Sequence, residues 1–202
     1  MRKELQHFWV DGSYGWNQDW FPDLFMRMGG CAAVTACDSC VYFALRRGKP
    51  GLVPFMPVSD HISREDYLLL ASQMKPCLHP RMRGIDKLEI YQDGMGRYLQ
   101  KAGEKGLDVG ALHGEASYEE AEQRLIGQID GGYPVPFLTL RHKDPSMEFY
   151  EWHWYLLLGY EHRADTTLAQ AVTYSRRQWL DFRKVWDTGF AERGGMILFT
   201  LA

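Results

Sequence analysis

The chain lacks long apolar runs, a large excess of charge of either sign, internal repeats and low-complexity segments. No stretch approaches the roughly 18 consecutive apolar residues that a membrane helix requires, so we expect no membrane segment. The formal net charge of −3 gives no reason to expect nucleic acid or an anionic membrane surface as a partner. The length of 202 residues therefore predicts one globular domain, residues 1–202, with a sizeable buried core.

Cysteine is also scarce, and its distribution bears on the compartment. The four cysteines are too dispersed for the disulfide framework of a small secreted scaffold. Residues 1–7 are polar and lack the apolar core of a signal peptide. Together these features predict free thiols in a reducing cytoplasm. The sequence leaves the oligomeric state open.

The order of the predicted elements indicates the fold class. The spacing of apolar residues predicts a largely buried helix that starts at Cys31 and stops near Gly48. Further helices are expected after the capping residues Ser63 and Ser117 and over 85–102. Strand-like patterns follow over residues 135–141, 150–160, 168–174 and 196–201. Helices first and strands afterwards predict an α+β domain with a mostly antiparallel sheet.

A glycine pair places one cysteine at the start of the first long helix. In Gly29-Gly30-Cys31, the thiol lies where backbone N–H groups and the helix dipole favour the thiolate. The glycines allow the backbone to approach a ligand closely. Cysteines on apolar helices are usually core residues, but this position at the helix start favours Cys31 as a nucleophile.

A second cysteine pattern on the same helix invites a metal or redox interpretation. Cys37 and Cys40 form a C-x-x-C, and Cys77 with His79 is the nearest further pair of ligands. Structural zinc sites usually have tighter spacing in both halves. Since Cys37 and Cys40 lie on or beside the apolar stripe, the sequence favours core packing, and a zinc protein remains the alternative.

One histidine lies inside a strand-like run and is the candidate general base. In Glu151-Trp152-His153-Trp154-Tyr155, strand alternation puts His153 and Tyr155 on one face and both tryptophans on the other. The alternative is a buried histidine whose ring is satisfied by a backbone carbonyl. The other histidines lie in predicted loops or turns and are expected to be solvated surface groups: His7, His61, His79, His113, His142 and His162.

Two amides precede the cysteine and are candidates for an oxyanion hole. A side-chain amide of Asn17 or Gln18, together with the backbone N–H of Cys31, would stabilise the negative oxygen of a tetrahedral intermediate. Asn and Gln are also common in turns, so either residue has a purely structural alternative.

These motifs, in this order, resemble those of papain-like cysteine peptidases, within them the bacterial branch similar to C39 peptidases. The resemblance rests first on Gly30-Cys31-Ala32-Ala33, a cysteine at a helix start followed by small residues. It continues in Gly132-Tyr133-Pro134-Val135, which leads from a helix into a strand, and in the run from His153-Trp154 to Gly159-Tyr160. It covers the chain from about residue 15 to the C-terminus.

The resemblance implies a papain-like fold in which an active-site cleft separates two lobes. A mainly helical lobe, about 15–130, would carry Cys31, and a lobe of antiparallel strands, about 131–202, would carry His153. It also implies Gln18 as the oxyanion residue, although the separation of Gln18 from Cys31 is longer than the family usually has.

The third member of the catalytic triad is where the chain departs from the family. The family places Asn or Asp at the start of the strand after the histidine hairpin, whereas this chain has Ala171-Val172-Thr173-Tyr174-Ser175. Thr173 is a candidate that orients an imidazole less firmly than a carboxylate does. Asp165 and Asp181, on either side of that strand, remain alternatives. A Cys–His pair needs less help from a third group than a serine does.

The leading hypothesis is a cysteine peptidase or amide hydrolase acting on a peptide or small amide substrate, without cofactor or metal. Cys31 attacks the carbonyl carbon, His153 transfers the proton, and Gln18 or Asn17 supports the oxyanion. One alternative is an acyltransferase, in which an amine rather than water takes the acyl group. The other is a catalytically silent binding module on the same fold.

Overall fold

The computed structural model describes residues 1–81 and 84–201. The helices are α1 (Leu24–Gly29), α2 (Cys31–Arg46), α3 (Arg64–Met74), α4 (Leu88–Lys101), α5 (Tyr118–Gly131) and α6 (Phe182–Trp186). The strands are β1 (Arg2–Glu4), β2 (Trp9–Val10), β3 (Ser13–Tyr14), β4 (His61–Ile62), β5 (Leu107–His113), β6 (Val135–Thr139), β7 (His153–His162), β8 (Thr167–Thr173), β9 (Arg176–Asp181) and β10 (Gly194–Leu201). Short 3-10 helices cover Gln18–Trp20, Pro50–Leu52 and Pro145–Tyr150. This mixed composition confirms the predicted α+β class.

A large antiparallel sheet forms one layer of the molecule. Within the described residues it has seven strands, in the order β5-β10-β6-β7-β8-β9, with β1 added beside β7. The long strand β7 pairs with β6 over His153–Leu157 and with β1 over Gly159–Glu161. A small second sheet joins β2 to β3 and, in parallel, to β4. The predominantly antiparallel sheet is confirmed.

Helix α2 packs closely on this sheet because its buried face is made of small side chains. Ala32, Ala33, Ala36, Cys37 and Cys40 are fully enclosed, and the helix contacts β7 and β6. Small side chains let a helix axis approach a sheet closely. This packing brings the first turn of α2 to the end of the sheet where β7 begins.

Several boundaries differ from the sequence prediction. Strand β5 lies inside the range 15–130 expected to be mainly helical, yet it belongs to the large sheet beside β10. The strand expected from residue 150 begins at His153, because the preceding segment forms the 3-10 helix Pro145–Tyr150. Strand β9 was not predicted. The segment expected to form the helical lobe therefore also contributes a strand to the large sheet.

The prediction that the other six histidines are solvated groups in loops is wrong about the burial of one and about the secondary structure of three, while His61 and His113 are exposed as expected. His7 is buried, at 3% exposure. His61, His113 and His162 lie in β4, β5 and β7 rather than in loops.

None of the helices in the described part of the chain is long and apolar enough to cross a membrane.

Candidate active site

A cleft of about 700 Å³ opens where the first turn of α2 faces the start of β7. Cys31, His153 and Gln18 all line it. The other lining residues are Met28, Gly84, Arg141, Phe149, Glu151, Trp152 and Tyr174. The structure thus brings three of the residues singled out from the sequence to one cavity, although they come from separate parts of the chain.

The glycine pair before Cys31 is explained by close backbone packing. A Cβ atom at Gly29 would collide with the carbonyl oxygen of Arg81, and one at Gly30 with that of Met26. Gly30 is the residue that caps α2, and its backbone lies in a region open to any residue, with φ −90° and ψ 5°. Steric room, rather than a special dihedral angle, therefore accounts for both glycines.

The thiol of Cys31 is buried, and burial dominates its protonation. Its side chain belongs to the first residue of α2 and the residue is 4% exposed. Burial raises the pKa of Cys31, while backbone N–H groups of Trp154, Ala32 and Cys31 itself act in the opposite direction. The N–H groups at the helix start thus act on the thiol in the expected direction, but desolvation outweighs them and the pKa of Cys31 is raised in the free protein.

His153 is the first residue of β7 and is held by a side chain of the neighbouring strand. Its Nε2 lies 2.7 Å from Oγ1 of Thr173, the last residue of β8. Burial lowers the pKa of His153 to about 4. Among the described residues, Nδ1 has no hydrogen-bond partner. The ring is thus neutral at neutral pH, with one nitrogen held by a hydroxyl and the other unoccupied.

The hydrogen-bond partner of His153 distinguishes between the three candidates for the third member of the triad. Thr173 makes the contact, whereas Asp181 caps α6 by accepting hydrogen bonds from the backbone N–H groups of Arg183 and Lys184. Asp165 lies exposed in the turn between β7 and β8. The predicted contact between His153 and Thr173 is present, and no backbone carbonyl takes its place in the described part of the chain.

Gln18 and Asn17 have different positions despite being adjacent. The Nε2 of Gln18 donates a hydrogen bond to the carbonyl oxygen of Arg27 at 2.9 Å, which fixes a buried amide at the cleft. An amide nitrogen has a second hydrogen to donate. The short helix α1 takes up the long separation from Cys31. Asn17 instead caps the 3-10 helix, its Oδ1 accepting from the backbone N–H of Asp19 at 2.9 Å, and it does not line the cleft.

The two tryptophans beside His153 also have different surroundings. Trp154 is buried, donates from Nε1 to the carbonyl oxygen of Ile85 at 2.7 Å, and stacks on Tyr91. Trp152 lines the cleft and has a positive φ of 52°. Strand alternation therefore holds for Trp154 but not for Trp152, because β7 begins only after it.

The sequence interpretation missed Tyr174, an aromatic residue in contact with His153. The two rings are nearly parallel, at 16°, with centroids 5.2 Å apart. Burial raises the pKa of Tyr174 to about 12, with Cys31 and Asp19 contributing. The phenol is therefore neutral at physiological pH. Its position directly after Thr173 was the available signal.

Charged groups also line the cleft. The guanidinium of Arg141 lies over the ring of Trp152, 5.7 Å from its centroid. Glu151 accepts a hydrogen bond through Oε1 from the backbone N–H of His142 at 2.6 Å. Neither residue was singled out from the sequence. Among the residues that the structure describes, the cleft therefore presents one cation and one anion beside its aromatic wall.

A second buried polar cluster lies further along α2, and we refer to His7, Asp38 and Tyr67 as the Asp38 cluster. Tyr67 donates from its hydroxyl to Oδ1 of Asp38 at 2.5 Å. Nε2 of His7 lies 3.5 Å from Oδ2 of Asp38, and within residues 1–81 and 84–201 neither ring nitrogen of His7 has a hydrogen-bond partner.

The residues of the alternative zinc site do not come together. Across the described ranges, no three His, Cys, Asp or Glu side chains form a group that could hold a metal ion. Cys37 and Cys40 are fully buried on α2, and Cys77 is half-buried. Core packing therefore describes the surroundings of the C-x-x-C.

Comparison with known proteins identifies no relative: no family model, no curated protein and no solved structure matches the chain.

Proposed function

We propose that this protein is a cysteine-dependent amide hydrolase with a papain-like catalytic arrangement, acting on a peptide or small amide. The observation that carries the proposal is that Cys31, His153 and Gln18 line one cleft, although they lie on α2, on β7 and before α1. A thiol, an imidazole and an amide donor are the groups that acyl transfer through a thioester requires.

In the resting protein, Cys31 and His153 are both uncharged. Burial alone keeps Cys31 protonated and His153 unprotonated at neutral pH. With Nε2 of His153 donating to Thr173, the lone pair of Nδ1 is available as a base. The charged pair then forms when the substrate carbonyl arrives, rather than in the resting protein.

The first half-reaction consumes the thiol proton and releases an amine. As the sulfur of Cys31 forms a bond to the carbonyl carbon, its proton passes to His153 and the carbonyl π electrons move to oxygen. The backbone N–H of Cys31 and the free N–H of Gln18 donate to that oxygen. Collapse of the intermediate breaks the C–N bond, and His153 returns the proton to the leaving amine.

The second half-reaction regenerates the thiol. His153 takes a proton from water as the water oxygen attacks the thioester carbon, and the C–S bond then breaks with the proton returning to sulfur. If an amine enters instead of water, the same intermediate gives a new amide, and the protein is an acyltransferase. Hydrolysis and acyl transfer use the same residues in every step up to the thioester and differ only in the group that attacks it.

A catalytically silent binding module is the second candidate, and one observation favours it. Both ionisable groups are held neutral by burial, and the partner of His153 is a hydroxyl rather than a carboxylate. A hydroxyl stabilises an imidazolium less than a carboxylate does. A binding module on this fold would keep the cleft without forming a covalent intermediate.

Acyl-enzyme formation separates these candidates. Incubation with a series of p-nitrophenyl acyl esters, followed by intact-mass and peptide mass spectrometry, should show one acyl group on Cys31, absent in Cys31→Ala. Cys77→Ala, which removes the one partly exposed cysteine of the described chain, is the matched control and should still be acylated. Adding a primary amine then distinguishes transfer from hydrolysis by its product. If Cys31 is not acylated at any pH from 5 to 9, the hydrolase and acyltransferase proposals fail and the binding module is the remaining candidate.

A further inference from the structure

The hairpin turn between β8 and β9 contains an unusual residue for its conformation. Thr173 pairs with Arg176, so the turn consists of Tyr174 and Ser175 alone. Both have positive φ, 49° and 59°, as in a type I′ turn, whose usual residues are Asn and Gly. A bulky residue in this left-handed region is strained and persists only where its surroundings impose it.

The surroundings of Tyr174 lie in the cleft. Its ring stacks on the imidazole of His153 with centroids 5.2 Å apart and contacts Phe149 at 5.8 Å. Tyr155, two residues along β7, lies further from the imidazole, at 6.3 Å. The strained turn therefore holds the aromatic ring that lies closest to the imidazole of His153 and nearly parallel to it.

We propose that Tyr174 is a positioning residue that fixes the plane of the His153 ring, so that Nε2 stays on Thr173 and Nδ1 stays available to Cys31. The inference rests on the proposed function for its chemical consequence. A lone hydroxyl allows an imidazole to rotate about its Cβ–Cγ bond and to exchange tautomers, because Thr Oγ1 both donates and accepts. A parallel ring over one face removes that rotation without competing for either nitrogen.

The strain in the turn has a role in this arrangement. Asn at position 174 would relieve the backbone but would leave the face of the imidazole uncovered. The chain instead has an unfavourable φ at Tyr174, and from this position the hairpin places a ring on His153. Replacing a strained residue that serves a site in this way is expected to relieve the backbone strain and to lower the activity of the site.

The direct test is the tautomer of His153, read from the nitrogen shifts of protein carrying ¹⁵N-labelled histidine. The His153 signals are assigned by their loss in His153→Ala. Wild type and Tyr174→Phe should show a single tautomer with the proton on Nε2, and Tyr174→Asn a mixture. The rate of Cys31 acylation should fall about tenfold or more in Tyr174→Asn and stay within about twofold in Tyr174→Phe.

Controls separate positioning from folding. Asn suits the turn, so Tyr174→Asn should fold, as circular dichroism checks. Tyr174→Gly, which the turn also accommodates, takes its place if the Asn variant is unfolded. Ser175→Gly relieves the neighbouring strained residue without removing the ring and should keep the wild-type tautomer and rate.

The outcomes distinguish this inference from the proposed function. A single Nε2–H tautomer in Tyr174→Asn, with an unchanged acylation rate, would overturn the role of Tyr174 and leave the hydrolase proposal standing. If Cys31 of the wild type is not acylated at all, the hydrolase proposal fails. The tautomer of His153 still decides whether Tyr174 positions the ring in that case.

Discussion

Two buried side chains of helix α2, Cys31 and Asp38, are each accompanied by a histidine from another part of the chain. At its first turn, Cys31 lines a cleft with His153, whose Nε2 is held by Thr173 at 2.7 Å. In its middle, Asp38 faces His7, and this histidine side chain is fully enclosed. By residue type alone, the Asp38 cluster is the more convincing acid–base site, since it contains a carboxylate and a phenol.

The difference between the two histidines lies in access and in hydrogen bonding. His153 has one nitrogen occupied and one available beside a cavity of about 700 Å³. His7 is packed against Phe8 and Tyr14, and a Cβ at Gly15 would lie 2.7 Å from its Nε2. His153 therefore borders an open cleft, whereas His7 is enclosed by protein. Under the proposed function, His153 is the histidine that takes part in chemistry, and His7 contributes to packing.

The largest expected effect is on acylation at the open site. Replacing His153 by Ala removes the proposed base, and the rate of Cys31 acylation should fall by about 10²- to 10⁴-fold. His7→Ala is the matched variant at the enclosed site and should leave the rate within about twofold. Stopped-flow release of p-nitrophenol measures both. A large loss of rate in His7→Ala, in protein shown to be folded, would break the comparison.

The next effect is the contribution of His153 to the pH dependence of stability. Its pKa in the folded protein is about 4, below the ordinary value of 6.5, so between these values the unfolded chain takes up a proton that the folded chain does not. The stabilisation is complete above pH 6.5 and is lost as the pH falls to about 4, in total about 3 kcal/mol.

Urea unfolding of wild type and His153→Gln at pH 7 and pH 4 measures this contribution, since the titration of other groups is common to both proteins. The difference in unfolding free energy between the variants should change by about 3 kcal/mol between the two pH values. A difference independent of pH would mean that His153 is not held neutral by burial.

The enclosed histidine should show its effect in stability rather than in chemistry. His7→Ala removes a fully buried ring and leaves a cavity next to Asp38, so the unfolding free energy should fall by about 2 to 3 kcal/mol. Urea unfolding at pH 7 gives the value. His61→Ala, at an exposed position, is the comparison and should change stability by less. Equal losses would mean that His7 is not part of the core.

Much of this architecture follows from local sequence signals. The caps Ser63 and Ser117 accept hydrogen bonds from the backbone N–H groups of Asp66 and Glu120 as expected, and α2 starts at Cys31 after its glycine pair. Gly94 lies inside α4 because its missing side chain makes room for the carbonyl oxygen of Cys77 and for Leu78. The caps and the start of α2 depend on neighbours in the sequence, whereas Gly94 is explained by a contact with a segment distant in the chain.

What the sequence did not predict depends on distant partners. Strand β5 contains Gly110 and two exposed polar residues, Asp108 and His113, and it is a strand because β10 pairs with it along its length. His7 is buried because the N-terminal segment packs on α2. Tyr174 lies in a turn that its residue type disfavours, so turn propensities did not predict that its ring would stack on His153.

The smallest expected effect on the acylation rate concerns Thr173, the residue that holds the His153 ring. Thr173→Ala removes the hydroxyl that holds Nε2 of His153, which should lower the rate of Cys31 acylation about five- to tenfold, in line with about 1 kcal/mol for a neutral hydrogen bond. Thr173→Ser keeps the hydroxyl and should retain most of the rate. Equal rates in Thr173→Ala and wild type would show that the bond does not orient the ring.

The pairing of Cys31 with His153 is tested most directly by alkylation with iodoacetamide at pH 6, mapped to each cysteine by mass spectrometry. The account predicts that Cys31 reacts at least about tenfold faster in the wild type than in His153→Ala, because the imidazole accepts the thiol proton. In His7→Ala the rate should match the wild type. Equal rates at Cys31 in wild type and His153→Ala would contradict the central claim, and the cleft would then stand as a binding site without a nucleophile.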